Sequence, residues 1–191
     1  GKGLMLVYLP IETISRELDA RCLLAHELTQ SGIKVVLGPK GAVTDLASKI
    51  GSGVFFDKGF GDHYVEKRLK RLNHTGVTCV ATDEEGVVFA NFKSYLATRQ
   101  ITHGLAFNYL SEIYLAGELQ ADFLKNEFSE SKDKFFVTGN IRFDFAKQGL
   151  SPNGKVTRDH KSSNDRLILI PTNLAPANLA PEYGLSYLEF V

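Results

Sequence analysis

The sequence carries no excess charge of either sign: 22 Lys and Arg stand against 22 Asp and Glu in 191 residues. That balance argues against a dedicated nucleic-acid binder, which shows a basic surplus. It also lacks a long apolar run. The longest, Leu4–Leu9, is far too short to span a membrane. The opening GKGLMLVYLP is too short and too soon interrupted for a signal peptide. Cysteine is scarce: Cys22 and Cys79 make no disulfide framework, and both are expected as small buried hydrophobes in core elements. The histidines are scattered without metal-ligand spacing, so no metal site is expected. There is no fixed-period repeat. Neither GxGxxG nor a P-loop follows the first apolar run, which weakens a simple dinucleotide reading, and no cofactor is expected.

What is present is an alternation of short apolar runs with helical patterns. Strands are expected at 4–9, 34–37, 53–56, 77–81, 112–116, 135–138 and 167–170. Most are continuously apolar, as strands covered by helices on both faces are. Helices are expected at about 15–30, 42–50, 62–73 and 118–128, whereas 91–98 and 104–111 read as helix or loop. In the first helix, Ile14, Leu18, Cys22, Ala25 and Leu28 step by three or four and form the expected inner stripe. In the third, Lys67, Arg68, Lys70 and Arg71 look like a nucleic-acid or membrane patch, but a solvated helix face is the preferred reading. The alternation predicts an α/β fold with a doubly wound, mostly parallel, Rossmann-like sheet. Residues 149–165 are nearly devoid of apolar side chains and read as a linker. The expected organisation is therefore one domain over 1–148 and, at 166–191, either the opening strand and helix of a second domain that the chain lacks, which is the preferred reading, or a segment docked back onto the first.

Ligands of open α/β sheets bind beyond the carboxyl ends of the strands. After the first strand the chain reads Glu12-Thr13-Ile14-Ser15-Arg16-Glu17-Leu18-Asp19. Glu12 and Glu17 suit a helix N-terminus, and Thr13 or Ser15 can cap it. Arg16 sits at the wrong end of a helix for a cation, which a ligand carboxylate or a neighbouring acid would explain. Glu12, Arg16, Glu17 and Asp19 are expected to face a common cleft, with Glu12 ranked above Glu17 as base. After the fourth strand come Asp83, Glu84 and Glu85, then Gly86, read either as a solvated turn or as one acid facing the cleft. Glu118 follows the fifth strand. Asn140 and Arg142 follow the sixth, where Asp144 is read as the cap of a short helix. Asn173 follows the seventh and could meet a ligand across an interdomain cleft.

The segment VTGNIRFD at 137–144 resembles the strand–turn that closes the first domain of Kdo transferases and related two-domain GT-B glycosyltransferases. Similar segments occur in UDP-N-acetylglucosamine 2-epimerases and CDP-glycerol polymerases. LVYLPIETISRELDARCLLAHELTQSGIKVVLGPK, ATDEEG, YLAGELQADFL and LILIPTN together resemble bacterial capsule and lipopolysaccharide biosynthesis proteins over nearly all of residues 4–190. Members of that family are about twice this length, so the chain resembles a first half and the start of a second. The resemblance implies a cytoplasmic glycosyltransferase, at the inner face of the membrane through its acceptor. It would take a CMP- or UDP-linked sugar, such as Kdo or a related acidic sugar, and pass it to a glycan. The first domain of such enzymes holds the acceptor and often supplies the base, and the second holds most of the donor. Kdo transferases carry a catalytic Glu in a glycine-rich turn after the first strand. That turn has no glycine pair here, and Glu12 and Glu17 are the nearby candidates. Arg16, Asp19, Glu84, Glu85, Glu118, Asn140, Arg142 and Asn173 are the expected substrate-binding residues. Two other readings are an epimerase of the same architecture and a non-catalytic sugar- or protein-binding module.

Overall fold

The computed structural model of the protein describes residues 5–86 and 89–147. Six strands form one sheet: β1 (Leu6–Ile11), β2 (Lys34–Pro39), β3 (Val54–Asp57), β4 (Thr78–Thr82), β5 (Glu112–Leu115) and β6 (Phe135–Val137). The helices are α1 (Ile14–Gln30), α2 (Lys40–Ile50), α3 (Tyr64–His74), α4 (Phe92–Arg99), α5 (Glu118–Glu127) and α6 (Ile141–Lys147). A 3-10 turn at Leu105–Tyr109 precedes β5, and another at Ser129–Lys134 precedes β6. The expected seventh strand, the 149–165 linker and the 166–191 segment lie outside the described residues.

Every strand pair is parallel, and the order is β2-β1-β3-β4-β5-β6. The expected doubly wound, Rossmann-like α/β sheet is therefore present. The chain moves one way from β1 to β2, then back past β1 to β3 and onward. With right-handed crossovers, α1 must lie on the face opposite α2, α3 and α5. The burial pattern agrees. The main core joins Tyr8, Phe55, Ile113 and Leu115 from the sheet to Val43, Ala47, Leu69, Leu72, Ala121 and Leu124 from those three helices, and it includes no residue of α1. Phe56, one position on from Phe55, turns to the other face and stacks on Tyr114 with centroids 5.7 Å apart, as the two-residue period of a strand requires.

On that other face the expected stripe of α1 is met only in part: Leu18, Ala25 and Leu28 are half-buried. Ile14 is 69% exposed, and Cys22 is exposed rather than in the core. The buried positions of α1 are Glu17, Ala20 and Arg21. Apolar periodicity misplaces the helix because its two innermost long side chains are charged and find partners inside. Cys79 is buried, as expected, and burial pushes its thiol up to about 12.

Candidate functional site

The strand order reverses between β1 and β3, so the loops leaving these strands diverge and open a crevice. A cavity of about 450 Å3 lies there. Its wall draws on the turn after β1 (Glu12, Thr13, Arg16), the loop after β3 (Asp57 to Asp62), the turn after β4 (Asp83, Glu85) and Arg99 at the end of α4.

The turn after β1 is built around Glu17. Thr13 occupies the N-cap position of α1 but makes no side-chain cap bond, and Ser15 already lies inside the helix. Glu17 instead reaches back, accepting the Glu12 N–H at 2.8 Å and the Thr13 N–H at 3.2 Å. Lys58 Nζ closes the arrangement, 2.8 Å from Glu17 and 2.6 Å from Glu12. Burial alone would raise the Glu17 carboxyl. The two N–H groups and Lys58 outweigh it and hold the group below the usual carboxylate range. Glu17, at 2% exposure, thus acts as a cap and an anchor for Lys58, with its oxygens occupied. Glu12 is exposed on the cavity wall. Its bond from Lys58, aided by Lys40 at 3.4 Å, lowers its carboxyl despite partial burial. Lys58 is held above its ordinary value: burial opposes its charge, but the bonds to Glu12 and Glu17 prevail.

This assignment of Glu17 has a pH signature. A carboxyl lowered in the folded state contributes stability above its unfolded pKa, and that contribution disappears as pH falls through the folded value. Glu17→Gln is expected to cost about 0.5–2 kcal/mol at neutral pH, the scale of a lost cap. The gap should close in acid, because the native carboxylate is then protonated too. Urea unfolding midpoints at the two pH values check this; an undiminished gap in acid would count against it.

Arg16 finds the neighbouring acid that its position demanded. Its Nη1 lies 3.1 Å from Glu85, and its Nη2 lies 3.6 Å from Glu17 and 3.4 Å from Thr13 Oγ1. Asp19, expected on the same cleft, is exposed and off the cavity wall. The helix has already carried it past the opening.

The three consecutive acids after β4 avoid mutual repulsion by pointing to three sets of partners. Asp83 is buried and accepts the Tyr95 hydroxyl at 2.9 Å, Gln120 Nε2 at 3.0 Å and the Gly86 N–H at 2.8 Å. A Cβ on Gly86 would fall 1.7 Å from the Asp83 carboxylate, so the glycine serves that close approach. Glu84 is buried and turns under the sheet edge to Arg21, 2.6 Å away. Only Glu85 bridges cavity-wall cations, holding Arg16 at 3.1 Å and Arg99 at 3.2 Å. The solvated-turn reading fails for Asp83 and Glu84, and the cleft-facing acid of the pair Glu84 and Glu85 is Glu85.

The remaining expected residues lie elsewhere. Glu118 is exposed in the first turn of α5, off the cavity wall. Asn140 is buried and latches two turns together: its Oδ1 accepts the Arg142 N–H at 3.0 Å, and its Nδ2 donates to the Glu84 carbonyl at 3.2 Å. Asn140, not Asp144, therefore caps α6, and Asp144 sits within that helix. Arg142 is half-buried and off the cavity wall; it approaches Glu84 closely enough to favour its charged form. Asn173 lies outside the described residues.

The loop Asp57-Lys58-Gly59-Phe60-Gly61-Asp62 was not singled out by the sequence. One Asp57 oxygen, Oδ2, accepts both Arg68 Nε at 3.0 Å and Nη2 at 2.5 Å, which draws Arg68 off the solvated face expected for it. Asp62 accepts the N–H groups of Thr102 at 2.7 Å, His103 at 2.8 Å and Leu105 at 2.7 Å, which pins the far rim of the cavity. Burial opposes its charge, but these N–H bonds hold its carboxyl below the usual range. The available signal was positional: two glycines between two acids, directly after a strand beside the reversal of order.

Chemically, the cavity presents a half-exposed carboxylate, Glu12, in a ring of paired guanidinium, ammonium and carboxylate groups. Five cations and five carboxylates line it, so the wall is polar without an excess of either sign and suits a polar, hydroxyl-bearing ligand. Among the described residues, no group of three or more His, Cys, Asp or Glu could hold a metal ion, and no helix is long and apolar enough to cross a membrane. No family model, curated protein or solved structure matches the chain.

Proposed function

We propose that the chain is the acceptor-side part of a GT-B-type glycosyltransferase of bacterial surface-polysaccharide assembly. The observation that carries this reading is the placement of Glu12, an exposed carboxylate at the end of β1, on a charged cavity at the reversal of strand order. It is supported by the sequence resemblance, whose longest segment runs through this turn. Glu12 takes the proton of the acceptor hydroxyl as that oxygen attacks the sugar's anomeric carbon and the nucleotide leaves. Arg16 and Arg99, tied together through Glu85, bind an acidic group on the acceptor. Glu17 and Lys58 position Glu12 rather than touch substrate.

The intact protein should release free nucleotide from a CMP- or UDP-linked sugar when a glycan acceptor is present, with the sugar appearing on the acceptor by mass spectrometry. Unchanged donors across both nucleotide classes, together with no glycan-induced NMR shifts in the cavity residues, would overturn the reading. A second reading, a non-catalytic sugar-binding module, is favoured by the grip of Lys58 on Glu12 at 2.6 Å, since a carboxylate so held is a weak base. It predicts the cavity shifts without nucleotide release.

A further inference from the structure

A second hollow adjoins the cleft. It lies between α2 and α3, encloses about 600 Å3 and meets the cleft at Glu12, Lys40 and Arg68. Lys40, Lys67, Arg68 and Arg71 line it, opposed by the carboxylates of Glu12 and Asp45. The cations come from two elements. Arg71 lies four residues after Lys67 and three after Arg68 on α3, so one turn brings it over both, and Lys40 approaches from the start of α2. A solvated helix face explains a run of cations on α3. It does not explain the convergence of a cation from α2.

Existing partners neutralise only part of this charge. Arg68 is fixed by Asp57 beneath the groove. Arg71 meets Asp45 at 3.2 Å, but both side chains are more than half exposed, and such a pair yields easily to a competing ligand. Lys40 reaches Glu12 only at 3.4 Å, whereas Lys58 holds the same oxygen at 2.6 Å. Lys67 is exposed and has no ion-pair partner among the described residues.

We propose that this groove binds a phosphate group, with Lys40, Lys67 and Arg71 as its ligands and Arg68 as the fixed charge behind them. A phosphate ester matches the arrangement better than a carboxylate does. It carries up to two charges and several free oxygens, enough to meet two ammonium groups and a guanidinium fork from separate helices at once. This assignment rests on the groove's own charge and stands whether or not the neighbouring cleft transfers sugar.

The phosphate could belong to a soluble sugar phosphate or to a lipid headgroup, and the test separates the two. The intact protein is titrated at low salt with inorganic phosphate and with glucose 1-phosphate, followed by amide NMR. It is also sedimented with phosphatidylcholine vesicles with and without phosphatidic acid. The comparison protein carries Lys67→Gln and Arg71→Gln; both positions are exposed, and an unchanged melting temperature confirms its fold. Saturable shifts across 40–44 and 67–71, weakened about 10–100-fold in the double variant and by added salt, support the site and a soluble source. Phosphatidic-acid-dependent sedimentation lost in the double variant supports the site and a lipid source. Absence of both responses, or responses that the double variant leaves unchanged, overturns the proposal.

Discussion

Arg21→Ala is expected to destabilise the protein by about 3–5 kcal/mol, the cost of stripping one partner from a buried ion pair. A domain of this kind has only about 5–15 kcal/mol to lose, so the variant should be marginal. Arg21 is 0% exposed and Glu84 is 5% exposed. Their Nη2 and Oε1 atoms lie 2.6 Å apart. The approach is poorly aligned for hydrogen bonding, and Nε, Nη1 and Nη2 have no hydrogen-bond acceptor among the described residues. The guanidinium also lies over the Phe56 ring, 5.1 Å from its centroid. Burial pulls the Arg21 pKa down and pushes Glu84 up, with each partner's charge opposing the shift of the other. The pair is therefore held together by mutual attraction in a place that disfavours both charges. Arg21→Ala leaves Glu84 buried without its cation. Arg21→Met with Glu84→Leu removes both charges and should be neutral, or more stable by about 1–4 kcal/mol. Urea unfolding of the three proteins decides it. A loss below about 1 kcal/mol in Arg21→Ala would place the pair among surface-like contacts and contradict the burial argument.

That pair also shows where the sequence is opaque. The strands were legible because continuous apolar runs between turn residues have few other uses, and the six described strands lie within two or three residues of their expected bounds. The inner face of α1 was not. Periodicity assigns burial to apolar residues, whereas Glu17 and Arg21, four apart, are buried beside Ala20. Arg21 is tolerated inside because of a distant partner, Glu84, and Glu17 because of the distant Lys58 together with the two backbone N–H groups of its own turn, and no apolar pattern announces these partners. The acid triplet after β4 failed in part for the same reason. Its three side chains look alike in sequence and are sorted by Tyr95, Arg21 and Arg99, between 12 and 63 residues away. The cleft was half legible. Glu12 and Arg16 follow from the rule that ligands gather at strand ends, and so do Lys58 and Asp62 once the reversal of order at β3 is known. That reversal depends on which strands pair, a long-range property of the sheet.

The proposed transferase reading turns on Glu12, and Glu12→Gln is expected to lower turnover of the intact enzyme by about 10²–10⁴, the range for loss of a general base. Glutamine keeps the shape and one acceptor oxygen but cannot take a proton. KM should change little, because Arg16, Glu85 and Arg99 remain to hold the acceptor. The pH profile adds a readout that a structural role would not move. A base must be deprotonated to act, so its rate falls as pH drops through its pKa. The contact with Lys58 lowers that pKa, so the acid limb should lie below the ordinary carboxylate range. Lys58→Met removes the main lowering contact and should shift the limb upward, while raising the basicity of Glu12 at neutral pH. The same change takes the Lys58 contact from Glu17 but leaves the two backbone bonds that seat it, one on each oxygen. Asp19→Asn, exposed and off the cavity wall, should leave both rate and profile alone. Full activity in Glu12→Gln, or an acid limb that ignores Lys58, would strip Glu12 of the base role. The turn after β1 would then be a capped helix start with a salt-bridged rim, and the cavity a place where carbohydrate binds without reacting.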